Sequence, residues 1–295
     1  AYWVWMLILF SFIIQAVSYE YRKKPDNFLG AKTYELFLLL NGVIGILLIG
    51  AAVGTFYTGS NFVLSDYNSV TWHYTLFGIN LRGLEAAFSL FNLSLGIFLV
   101  LNARVLGALY LLNSIDFSKT SELESRTRSA VTKNFLISLP FLLYVLISVL
   151  VMDGFGFDSA GVFQIESYKY LNNLLAIPLL LILLLVGLLL VIFGVFITVF
   201  KNSNKGIWPA GLGTVLVGLA VLCLPAFNNT AFYPSKFDLQ SSLSIYNASS
   251  SYFTLKTMSY VALGIPFVLA YVVYVWKLMD AKKLTSDEIK NEEAY

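Results

Sequence analysis

A chain of 295 residues in which 58% are apolar and only 12% charged departs from soluble domains, where about 45–50% and about 25% are usual. Its mean hydropathy of +0.76 excludes a water-soluble globule, and a net charge of +2 is too weak a field to recruit nucleic acid or an acidic substrate. One cysteine, Cys223, excludes an internal disulfide, and one histidine, His73, excludes a structural zinc site.

A bilayer-spanning helix needs about 20 mostly apolar residues. Runs of this kind occur at residues 2–18, 34–57, 83–112, 132–152, 173–200, 208–227 and 255–278. They predict an all-α polytopic integral membrane helical bundle of about seven transmembrane helices, closed by a tail at 279–295. The segment ILLLVGLLLV at 182–191 has no in-out alternation, which argues against barrel strands. The lipid bilayer is therefore the first partner of the chain.

The first span has no basic segment before it and is followed by Arg22, Lys23 and Lys24, the reverse of a signal peptide. With no initiator Met at Ala1, the pattern predicts a preceding segment. In the second span Gly42, Gly45, Gly50 and Gly54 predict close approach of a partner, Gly50 and Gly54 forming a Gly-x-x-x-Gly. At the start of the third, in FGINLRGLEAAF, Arg82 and Glu85 stand three apart, a spacing that lets them meet on one helix face. Either Arg82 snorkels to the interface and pairs with Glu85, or Glu85 is a buried carboxylate facing the bundle and able to carry a proton. Arg104 lies about 22 residues beyond Gly83 and marks the opposite interface.

After the fourth span, MDGFGFDSAG at 152–161 gathers Asp153, Asp158 and three glycines. It lacks the Lys-Ser/Thr of a phosphate loop and the acidic spacing of a calcium loop, so it reads as an interfacial turn. His73 sits in a loop between Trp72 and Tyr74, and Cys223 in a Leu/Val run reads as a small core residue. The connections after the first, third and fifth spans and the tail hold most of the Lys and Arg. The opposite face has Arg82, Lys169, Lys236 and Lys256. The positive-inside rule then predicts a cytoplasmic C-terminus and an outward start.

The last outward loop and span carry SLSIYNASSSYFTLKTM at 242–258 and PFVLAYVVYVWKLM at 266–279, and earlier come VSYEYRKK at 17–24, GALYL at 107–111 and ELESRTR at 122–128. In this order the segments resemble subunit II of the cytochrome bd-type quinol oxidases. The resemblance marks Ser244, Asn247, Ser249, Ser250 and Thr254 as a family-like outward loop. The chain departs from the family in lacking two N-terminal helices with DGFDLG-like and DGNEVW-like motifs, so the resemblance implies an N-terminally truncated or incomplete chain. A position commonly polar in relatives is Leu106.

The resemblance implies a heterodimer in the bacterial inner membrane that oxidises quinol and reduces oxygen within a respiratory chain. Two haems b and one haem d would lie in subunit I, a small extra subunit is a further expected partner, and no cofactor is ligated by this chain. The single histidine argues independently for that division, since one loop histidine cannot supply the axial ligands of three haems. A membrane transporter or channel is the alternative, and it predicts ionisable or broken-helix positions near mid-bilayer.

Overall fold

A computed structural model describes residues 2–280 apart from Pro25, Asp26, Asn68 and Lys119, together with Lys283 and Thr285. The longer helices are α1 (Tyr2–Tyr21), α2 (Ala31–Thr58), α3 (Leu90–Ser114), α4 (Ser121–Val151), α6 (Pro178–Phe200) and α7 (Ile207–Cys223), with the short α5 (Lys169–Ala176) leading into α6. The chain ends in α8 (Ile245–Ala248), α9 (Tyr252–Ala262) and α10 (Ile265–Met279). Among the described residues six helical stretches are long and apolar enough to cross a membrane, α9 and α10 counting together as Tyr252–Met279. The shorter α7 has 17 residues and is about 26 Å long, at the lower limit of a span. All seven apolar runs are thus helical.

Several boundaries differ from the sequence expectation for local reasons. The third span does not begin at Gly83: Gly83 is left-handed (φ 95°), a 3-10 turn covers Leu84–Phe88, and α3 starts only where Ser89 accepts a hydrogen bond from the Asn92 N–H. The fifth run breaks at Ile177 (φ −120°, ψ 83°), because Pro178 lacks an N–H and pushes its predecessor out of helical geometry. α4 begins 11 residues before the apolar run, its first turns being the polar ELESRTR. Of the tail and the basic residues expected beside it, residues 281, 282, 284 and 286–295 lie outside the described residues.

Lipid tails solvate leucine as well as protein does, so helices here associate through small residues and shape. α6 turns Leu179, Ile182, Leu185, Leu189 and Phe193 outward and buries Gly187, Gly194 and Thr198. A Cβ on Gly187 would lie 2.8 Å from the Gly213 carbonyl oxygen of α7, and one on Gly213 2.5 Å from that of Gly187. Likewise a Cβ on Gly50 of α2 would lie 2.6 Å from the Gly96 Cα of α3. Of the α2 glycines, Gly50 and Gly54 thus serve a seam with α3 and Gly45 faces Ser11 of α1, while Gly42 meets nothing within 4 Å. By contrast, α9 and α10 bury none of their residues.

The connections add four antiparallel two-stranded pieces: β1 (Phe62–Leu64) with β2 (Val70–Trp72), β3 (Thr75–Leu76) with β4 (Ile79–Asn80), β5 (Gly154–Phe157) with β6 (Phe163–Glu166), and β7 (Ala231–Tyr233) with β8 (Leu243–Ser244). They gather at one end of the bundle, where Ser60 bridges to Ser235 and Gly156 to Thr230. At the other end α4 meets the close of α6.

Candidate functional site

The strand-bearing end holds the polar chemistry. Asn92 is fully buried in the first turn of α3; its Nδ2 donates to the Ala86 carbonyl at 2.7 Å, and its carboxamide also bonds the Thr58 hydroxyl of α2. Gly54 makes room for it, since a Cβ there would collide with Asn92 Oδ1. One turn earlier, Glu85 Oε2 accepts the Gly83 N–H at 2.9 Å, while Glu85 Oε1 is buried without a hydrogen-bond partner among the described residues. On β7, Tyr233 donates to Ser60 Oγ at 3.1 Å. Burial, and after it the Glu85 charge, raises the Tyr233 hydroxyl above its ordinary pKa.

Arg82 does not pair with Glu85. It adopts a left-handed backbone (φ 44°) and is exposed, with its guanidinium 5.6 Å above the Tyr2 ring and its carbonyl accepting the Tyr2 N–H at 2.8 Å. No ion pair joins Arg82 and Glu85 among the described residues. The 3-10 turn breaks the helical spacing on which the expected pair depended.

The loop leading into α9 is a chain of helix caps. Ser244 is buried and caps α8 reciprocally with Asn247: the Ser244 N–H donates to Asn247 Oδ1 at 2.7 Å, and the Asn247 N–H donates back to Ser244 Oγ at 3.4 Å. Ser249 donates to the Ile245 carbonyl. Ser251 then caps α9, accepting the Thr254 N–H, with the Thr254 hydroxyl 3.0 Å away. Ser250 is exposed between the two caps. These residues terminate backbone N–H groups that a helix start leaves free.

At the opposite end Arg104 lies on α3, exposed, beside a groove that includes Arg126 and Lys133. The half-buried Arg128, which sequence reasoning missed, ties α4 to α6. Its Nη1 donates to the Thr198 carbonyl at 2.8 Å, and its Nη2 to the Asn202 carbonyl at 2.9 Å and to Glu124 Oε1 at 2.8 Å. Asn173 was missed too. Fully buried, it donates to the Leu224 carbonyl that ends α7 and to the Thr230 hydroxyl. A polar residue inside an apolar run is the signal that marks both Asn92 and Asn173.

Between the two ends lies a cavity of about 180 Å³ bounded by α2, α3, α4, α6 and α7. Its wall is mostly apolar, including Val53, Phe98, Leu142 and Val217, with Asn102, Ser138 and Thr214 as polar groups. His73 is elsewhere, exposed in a loop and stacked flat on Phe237 at 4.1 Å. Among the described residues no three of His, Cys, Asp and Glu converge.

The family described as cytochrome bd terminal oxidase subunit II matches residues 1–279. The chain belongs to that family. No curated relative matches it. For a subunit II chain the seam glycines, the paired caps and the Arg128 tie are the framework. Glu85 with Tyr233 at one end, and the apolar cavity between the ends, are the features that the framework does not account for.

Proposed function

We propose that this chain is the accessory subunit II of a quinol:oxygen oxidoreductase, packed as a heterodimer against a haem-bearing subunit I, with room in the complex for a small extra subunit. The observation that carries this reading is the family match along the helical bundle in a chain whose one histidine is spent on a loop stack. The two haems b and the haem d would be held by subunit I; when bound they supply electron transfer from quinol to oxygen. This chain's own part is to cover and position that partner. The basic end and the C-terminus would face the cytoplasm of a bacterial inner membrane.

Two features support a part in access. Glu85 offers an oxygen that takes a proton without losing a bond, with Tyr233 and Ser60 adjacent to continue a polar path. The cavity between α2, α3, α4, α6 and α7 offers apolar volume at mid-membrane, the kind of space that stays dry and admits small apolar molecules such as oxygen.

The test is co-purification from a membrane in which the tagged chain is expressed with its candidate partner. A stoichiometric, haem-rich membrane partner with quinol-driven oxygen consumption is the expected result. A colourless, monodisperse chain indifferent to that partner overturns the reading.

A further inference from the structure

At the end of the bundle remote from the strands, α3 and α4 form an open groove of about 540 Å³ whose wall carries three cations and no acid: Arg104 from α3, and Arg126 and Lys133 from α4. α4 places its residues in two adjacent strips at i, i+4 spacing. Ser125, Ser129, Lys133 and Ile137 form one, and Arg126, Ala130 and Asn134 the other. Among the described residues none of the three cations makes an ion pair, hydrogen bond or ring contact. The nearby acid Glu124 is spent on Arg128. Unneutralised charge is costly where a helix enters hydrocarbon, and Lys133 stands at the first residues of the apolar part of α4.

From Ser125 to Ile137 the groove runs about 18 Å along α4, from the polar first turns of the helix to an exposed isoleucine. Hydroxyls and guanidinium groups at the polar end match phosphate oxygens, and Ile137 at the other end matches the start of an acyl chain. We propose that this groove is a binding site for the phosphate headgroup of an anionic phospholipid, with Arg104, Arg126 and Lys133 as its charge partners. The continuity from basic to apolar wall selects a lipid over free phosphate, whose oxygens gain nothing from Ile137.

Native mass spectrometry of the protein purified in mild detergent, stripped of lipid and titrated with phosphatidylglycerol or phosphatidylcholine, tests the site. The expected result is selective retention of phosphatidylglycerol, weakened about fivefold for each cation removed and about a hundredfold in R104Q/R126Q/K133Q. Lys256→Gln on α9 should leave retention unchanged. If the triple variant does not remain monodisperse, Arg126→Gln and Lys133→Gln singly, both at exposed positions, carry the test. Equal retention of the two lipids, or undiminished phosphatidylglycerol in the variants, overturns the proposal. So does displacement by millimolar inorganic phosphate, which assigns the groove to a free anion, or loss of an acidic protein partner with lipid retention intact.

Discussion

Glu85 is held by one backbone N–H on Oε2 and leaves Oε1 enclosed without a bond. The substitution Glu85→Gln keeps a carbonyl acceptor for the Gly83 N–H and replaces the titratable carboxyl by a near-isosteric amide that cannot relay a proton as an acid, so it separates chemistry from folding. Quinol-driven oxygen consumption should fall by about a hundredfold, the lower end for loss of a proton-transferring group, with yield and haem content of the complex unchanged. Unaltered turnover would remove Glu85 from any proton path, and failed assembly would make it a structural residue. The residue itself was legible as an ionisable group near the membrane. Its surroundings were not, because the helical spacing that suggested Arg82 as partner presumes a helix, and the left-handed backbone at Arg82 and Gly83 prevents one.

At the scale of elements, the apolar runs declared the helices because lipid leaves the backbone no other way to satisfy its hydrogen bonds. Local rules also explain the loop that carried the family likeness: Ser244 with Asn247, and Ser251 with Thr254, are caps written within four residues. What a single strip of small residues does not disclose is its partner: Gly50 and Gly54 face α3 of the same chain, Gly45 faces α1, and Gly42 meets nothing within 4 Å. The α6–α7 seam gives this a measurable form. Gly213 and Gly211 lie two residues apart on α7, yet a Cβ on the first would meet the Gly187 oxygen at 2.5 Å and the Val191 nitrogen at 2.8 Å, and on the second nothing within 4 Å. Gly213→Ala should destabilise by about 1–3 kcal/mol through overpacking. Gly211→Ala should be neutral or gain up to about 1 kcal/mol from helix propensity. Thermal unfolding in detergent compares the two; equal midpoints would mean that the seam is looser than its backbone contacts imply.

Over the whole molecule, polar groups collect at two ends and the middle is apolar, as expected for a bundle whose alternate connections lie on opposite faces of a bilayer. Arg128 fastens one end by bonding carbonyls at the close of α6, and Ser60 with Ser235 joins the other. No sequence pattern announces the space left between them, since a cavity is made by five helices failing to meet and by no residue in particular. Gly218 lies on its wall and a Cβ there meets nothing within 4 Å, so Gly218→Leu fills volume without forcing the backbone. If oxygen reaches the haem partner through this space, the variant should raise the apparent KM for oxygen severalfold while leaving kcat at saturating oxygen unchanged, since only access is altered. A fall in kcat alone would point to distortion of the partner, and an unchanged KM would leave the cavity as a packing gap that the bundle tolerates.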